Sequence, residues 1–177
     1  MAKKLFIGYV SPDHIKTEPV DYVTKDADSL EEKKQIEKLC LDTYEELDFI
    51  ERGKWYDIRK MNNVIALKDK GILGFASWTK EKKELFLLVI LVKPDYQRRG
   101  IATALLNKIK EIASNLKVQN IIVPISNDDL TSYVFYQMNG FKISGIDIGL
   151  PEKRHGKEKM GFWGLTCRDE FYLKNKI

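Results

Sequence analysis

The run "LFLLVILV", Leu85 to Val92, is apolar at every position and is closely followed by Pro94. A strand with one face in water alternates polar and apolar side chains, so an unbroken run reads as a strand buried on both faces at the centre of a sheet. Proline has no N–H to give a ladder, and Pro94 closes the strand. The rest of the chain must therefore cover this strand from both sides.

The 177 residues, 44% of them hydrophobic, suffice for one such core, and a single domain over 1–177 is expected. No apolar stretch approaches the roughly 20 residues that cross a bilayer, and "MAKKLFIGYV" lacks a long apolar signal core, so a cytoplasmic protein without membrane contact is expected. Cys40 and Cys167 form no C-x-x-C pair and no zinc-site spacing, which reads as two buried thiols and no metal. The 30 basic and 26 acidic side chains give a formal +4, interspersed as on a solvated surface.

Ser29 and Glu32 are spaced as a capping box, and Ile36, Leu39, Cys40, Thr43, Leu47 and Ile50 keep helical spacing, so a helix is expected from Asp28 to a stop at Gly53. Three strand-like runs follow, "NVIALKD", "ILGFASWT" and "ELFLLVILV", as an antiparallel meander with a Lys70-Gly71 turn. Then come a helix from about Arg99 to Asn115, the strand "NIIVPI", a helix from about Asp129 to Asn139, and two strands, "FKISGIDIG" and "MGFWGLTCRDEFYL", around the charged loop "LPEKRHGKEK". This order points to an α/β fold with a mixed sheet and helices on both faces. Residues 1–19 stand as an N-terminal extension, compatible with an extra edge strand or a homodimer contact.

After Pro94, "QRRGIA" opens a helix whose apolar positions are Ile101, Leu105, Ile109 and Ile112. Gly100 leaves the first-turn amides uncovered at the positive end of the helix, and Arg98 and Arg99 add charge, as a phosphate-binding corner requires. No G-K-[ST] and no G-x-G-x-x-G is present, so Walker and dinucleotide-binding loops are excluded. Gln97, Arg98, Arg99, Gly100, Ile101 and Ala102 instead resemble the [QR]-x-x-G-x-[GA] acetyl-coenzyme A motif of the GCN5-related N-acetyltransferase (GNAT) superfamily. "FYQMNGF" is similar to that family's F-Y-x-x-x-G-F signature. The resemblance covers roughly Val20 to Leu173, its first half by element order only.

The resemblance implies a central, mostly antiparallel sheet and direct attack of an amine on acetyl-coenzyme A in a ternary complex. The pyrophosphate is then expected on the backbone from Gln97 through Ala102, with Thr103 close by. The pantetheine arm is expected beside Ile90, Leu91 and Val92, with a backbone N–H near Leu91 facing the developing oxyanion. The family's general acid corresponds to Tyr136, with Tyr133 one turn away as a second candidate. Many members carry a base inside the fourth strand; here the acid in that region is Glu84, which reads either as a base acting through water or as an edge charge. Where the family has an asparagine the chain has Asp129, with Asn127 nearby, so the pantetheine contact falls to Asn127, Asp129 or Ser132, or Asp129 caps the helix.

The amine acceptor, a small molecule or a protein, is read from two regions that disagree. Glu45, Glu46 and Asp48 beside Trp55 and Tyr56 suit a cationic amine, whereas Lys153, Arg154, His155, Lys157 and Lys159 suit an acidic one. The alternative within the fold is a catalytically inactive acetyl-coenzyme A-binding regulatory protein. No nucleic-acid-binding motif appears, and a nucleic-acid partner is not expected.

Overall fold

The computed structural model describes residues 18–150, 160–161 and 164–177. The first elements are β1 (Val23–Asp26), α1 (Leu30–Tyr44) and a hairpin of β2 (Asp48–Glu51) and β3 (Lys54–Asp57). The meander follows as β4 (Asn62–Lys68), β5 (Gly71–Glu81) and β6 (Glu84–Val92), then α2 (Ile101–Asn115) and β7 (Asn120–Ser126). The chain closes with α3 (Leu130–Met138), β8 (Lys142–Asp147) and β9 (Glu170–Lys176). One seven-stranded sheet runs β1-β4-β5-β6-β7-β9-β8, antiparallel throughout except between β6 and β7. The expected mixed, mostly antiparallel sheet with helices on both faces is thus present.

Alternation along β6 separates two cores. Leu85 and Leu87 pack with Leu105, Leu106 and Ile109 of α2 and with Tyr136 and Phe141, whereas Phe86 and Leu88 pack with Ile36 and Leu39 of α1 and with Tyr56 and Tyr172. Buried on both faces, β6 occupies the centre that its unbroken apolar run demands.

The helix expected from Asp28 to Gly53 is shorter. Its start is as expected: Ser29 Oγ accepts from Glu32 N–H, and Glu32 returns the bond to Ser29 N–H at 3.0 Å. It stops at Glu45, which enters the left-handed region at φ 63° while its N–H still reaches Leu41 O. Beyond lies the β2–β3 hairpin, turned at Arg52 and Gly53, both with positive φ. A two-residue turn of that hand matches strand twist, so Gly53 is a hairpin glycine rather than a helix stop. The last strand is likewise shorter than "MGFWGLTCRDEFYL": its regular part begins at Glu170, and Met160 and Thr166 form only an isolated bridge.

Cys40 is fully buried, its thiol donates to Glu46 O at 3.2 Å, and burial pushes it up to about 12, leaving an unreactive thiol. Cys167 is half-buried, which corrects the expectation of two buried thiols. No helix among the described residues is long and apolar enough to cross a membrane.

Candidate active site

Strands β6 and β7 pair at only three positions, Glu84 with Asn120, Leu85 with Ile121 and Phe86 with Ile122. Above them each strand follows its other neighbour: β6 stays on β5 as far as Val92, and β7 stays on β9 as far as Ser126. The central pair therefore parts, opening a gap between Leu87–Val92 and Val123–Ser126. Pro124 sits in the parted half of β7, where a missing N–H costs no ladder bond to β6.

Within this gap β6 carries a bulge. Ser77 faces Val89 but Trp78 faces Leu87, so Leu88 has no opposite number, and Leu88 and Val89 both join the core on the α1 side. Above the bulge, Lys93 N–H donates to Leu73 O at 2.9 Å. By strand alternation Leu91 also addresses β5, and Ile90 and Val92 turn their backbone groups toward the gap. Gln97 Nε2 donates to Val92 O at 3.1 Å, tying the following loop to the strand end.

The α2 N-terminus stands at the mouth of the gap. Asp129 caps α3 through Ser132 N–H at 2.9 Å, and Ser29 caps α1, but the N-cap of α2 is Gly100, with no side-chain cap and no acidic residue in the first turn. Arg98 and Gly100 have φ values of 60° and 79°, and a Cβ on Gly100 would meet nothing within 4 Å. Uncapped first-turn amides, the positive helix end and open space above a glycine fit an anionic pyrophosphate. Arg98 and Thr103 are exposed, whereas Arg99 Nη1 donates to Glu18 O at 3.3 Å and its guanidinium lies 5.8 Å from the Tyr96 ring.

Tyr136 lies below the gap, 3% exposed, with the Phe135 and Phe141 rings each edge-on at 5.1 Å. Its hydroxyl makes no hydrogen bond among the described residues, and burial pushes the phenol far above its ordinary value, so it stays protonated. Tyr133 is turned aside, its ring 6.2 Å from Phe171 of β9.

Glu84 stands at the closed end of the gap, on the α1 side, with Arg52 at 3.9 Å and Lys174 at 4.0 Å. Asn127 is occupied elsewhere: its Oδ1 accepts from Arg168 N–H at 2.7 Å and Asp169 N–H at 2.9 Å, and its Nδ2 donates to Thr166 O at 3.0 Å.

The β2–β3 hairpin covers the α1 side of β6. Tyr56 stacks on Phe86 at 4.9 Å and donates to Glu81 at 2.8 Å, while Trp55 points outward. Beside them lies an open groove of about 500 Å³ lined by residues including Asp48, Trp55, Tyr56 and Asp57. Arg59 pairs with Asp48 at 3.3 Å and Asp57 at 2.7 Å, so the groove's acids are largely neutralised. Glu45 ends α1, and Glu46 supplies the carbonyl that Cys40 reaches. Lys153, Arg154, His155, Lys157 and Lys159 lie outside the described residues, as do residues 1–17. Among the described residues no group of His, Cys, Asp and Glu is arranged to hold a metal. Sequence reading missed the Leu88 bulge and the Asn127 clamp; Pro124 inside an apolar strand was a usable sign of the parting.

Residues 29–141 match the model of the acetyltransferase (GNAT) family. The uncharacterized protein YdhI of Bacillus subtilis (strain 168) is 26% identical over 123 residues, which is 67% of this chain and 76% of YdhI. Among solved structures, an IAA acetyltransferase from Bacillus cereus ATCC 14579 superposes with a TM-score of 0.72 at 22% identity, covering 89% of this chain and 100% of that one. A GNAT family acetyltransferase from Elizabethkingia anophelis with acetyl-CoA bound gives a TM-score of 0.61 at 21% identity, covering 66% of this chain and 76% of that one. At these identities the structural likeness speaks for the fold.

Proposed function

The chain belongs to the acetyltransferase (GNAT) family, and on that premise we propose that it is an acetyl-coenzyme A-dependent N-acetyltransferase acting directly on a primary amine of a small molecule or a protein. One observation carries the reading: the uncapped α2 N-terminus at Gly100 opens onto the gap where β6 and β7 part. An anionic, elongated ligand has its pyrophosphate site and its backbone track side by side there.

In this reading the amides from Arg98 to Ala102 and the Thr103 side chain hold the pyrophosphate, with Arg98 and Arg99 supplying positive charge. The Gln97 N–H expected to join them is spent on Pro94 O at 3.2 Å. Ile90 and Val92 offer backbone groups to the pantetheine arm as a strand would. Leu91 instead turns its backbone to β5 and its side chain to the α1-side core, so the N–H expected to face the oxyanion is not that of Leu91. When bound, the coenzyme supplies a thioester open to amine attack. Tyr136, kept protonated by burial, gives its proton to the departing sulfur. An amine of pKa roughly 10.4 must lose a proton before it attacks. Glu84 serves this poorly, because Arg52 and Lys174 already flank it. Asp129 keeps its helix-capping bond to Ser132, and Asn127 its loop bonds, so neither is assigned to the coenzyme.

The test is calorimetric titration of acetyl-coenzyme A into the native chain and into Gly100→Val, followed by thioester loss across an amine panel. Micromolar binding that Gly100→Val abolishes, with amine-dependent thioester loss, supports the proposal. Absence of binding to the folded native chain refutes it. The pairing of Glu84 favours a second reading, a coenzyme-binding protein without turnover; binding with no thioester loss on any amine selects that reading.

A further inference from the structure

Strand β8 ends the sheet and, among the described residues, is paired on one side only, with β9. An edge strand that stays alone is blunted by polar or charged side chains. This one instead exposes Ile143 at 47% and Ile146 at 52%, on the face that carries α3, since their partners Leu173 and Phe171 lie on that face.

The strand reads "KISGID", with a cation at one end and an anion at the other. Paired antiparallel with a second copy about a two-fold that passes between the two Gly145 residues, Lys142 of each copy meets Asp147 of the other. Ile143 meets Ile146, and Gly145 meets Gly145. In a regular strand this register fails, because Lys142 and Asp147, five residues apart, would point to opposite faces. The bulge removes the obstacle: Ile143 faces Leu173 and Gly145 faces Tyr172, so Ser144 is skipped. Lys142, Gly145 and Asp147 then share one face, with Lys174, Tyr172 and Glu170 as their partners, and both isoleucines share the other. Asp147 already accepts from Tyr172 through Oδ2, which leaves Oδ1 for a lysine.

We propose that β8 is a homodimer seam, in which two copies join their sheets edge to edge through antiparallel β8 strands in the register that pairs Lys142 with Asp147 and Ile143 with Ile146. Because Tyr133 of α3 packs on Phe171 of β9, the seam sets the two α3 helices on either side of the isoleucine pairs. Their separation is about 14 Å, three strand spacings, so the four isoleucines fill a trough between helices rather than an open surface. The contact is isologous and closed, so it ends at two copies.

Sedimentation velocity tests the seam on the full chain. The expected result is a dimer for the native protein and a monomer for Ile146→Lys, whose site is exposed enough for the monomer to fold, which circular dichroism checks. K142E and D147K each put like charges opposite one another at both ends of the seam and are expected to dimerise at least about tenfold more weakly. Mixed in equal amounts they restore both opposite-charge pairs, and the dimer returns as a K142E–D147K heterodimer. A native monomer at about 100 µM overturns the proposal. So does a dimer that survives Ile146→Lys, or a folded K142E and D147K mixture that stays monomeric.

Discussion

A Cβ placed on Gly74 would lie 2.6 Å from the carbonyl oxygen of Leu91. Gly74 faces Val92 in the β5–β6 ladder, so the upper half of β6 takes its position from the absence of a side chain one strand away. Gly74→Ala must push Leu91 and Val92 toward the gap. The expected cost is about 1–3 kcal/mol of stability from overpacking, together with weaker coenzyme binding. Urea unfolding and calorimetric titration check the two effects. Unchanged affinity in a destabilised but folded variant would separate the β6 backbone from coenzyme recognition.

Tyr136→Phe removes a hydroxyl that makes no hydrogen bond among the described residues, so the melting temperature should barely move. Turnover should fall by about a hundredfold or more, with coenzyme affinity within about threefold, because the lost group acts on the leaving sulfur rather than in ground-state binding. Steady-state kinetics with calorimetry on the same variant decides this. An equal loss in affinity would make Tyr136 a binding residue instead.

Local features were legible in the sequence. The Ser29–Glu32 capping box, the helix opening at Gly100 and the two-sided burial of Leu85 to Val92 all rest on residues near one another in the chain. The β2–β3 hairpin was not, because Leu47 and Ile50 also fit a helical period and Gly53 serves equally as helix stop or hairpin turn. Only packing decides between them: Tyr56 stacked on Phe86 is a contact across 30 residues that no local period encodes. The gap has its cause in the pairing of β7 with β9, whose register no residue of "NIIVPI" announces beyond Pro124.

The α1 cap should show in acid. Lys25 Nζ at 2.7 Å, with the Ser29 and Asp28 N–H groups, lowers the Glu32 carboxyl from 4.5 to about 2. A carboxyl depressed in the folded state stabilises above its unfolded value, and that contribution drains away as pH falls from about 4.5 toward about 2. Glu32→Gln should therefore be less stable by about 1 kcal/mol at neutral pH, and its deficit should close across that window. Urea unfolding at neutral pH and near pH 3 measures the gap. A constant deficit would mean the loss is one of packing.

Glu84→Gln separates an anchor from a base. With Arg52 and Lys174 both beside the carboxylate at the closed end of the gap, the neutral amide should leave turnover within about threefold and the acid limb of its pH profile in place. Stability should drop by no more than about 1 kcal/mol, since these charges are partly exposed. Loss of the acid limb with turnover down by about a hundredfold would instead make Glu84 the group that takes the amine proton.

Asn127 is bound on three sides by the segment that leads into β9, through Thr166, Arg168 and Asp169. Its own N–H donates to Asp169 O at 2.8 Å, so the residue after β7 is stitched to the chain some forty residues on. Asn127→Ala keeps that backbone bond, turns the exposed Thr166 O and Arg168 N–H to water and leaves the partly buried Asp169 N–H without its acceptor, at a cost of about 1–2 kcal/mol. Coenzyme affinity should change by less than about threefold, because the amide is spent on the loop. Asn127→Asp tests the same geometry from the other side: its carboxylate still accepts from Arg168 and Asp169 but cannot donate to Thr166 O, and about half of the lost stability should return. Unfolding measurements and coenzyme titration on both variants give the answer. A tenfold loss of affinity in a chain that remains as stable as the native one would move Asn127 from the loop clamp to the pantetheine site.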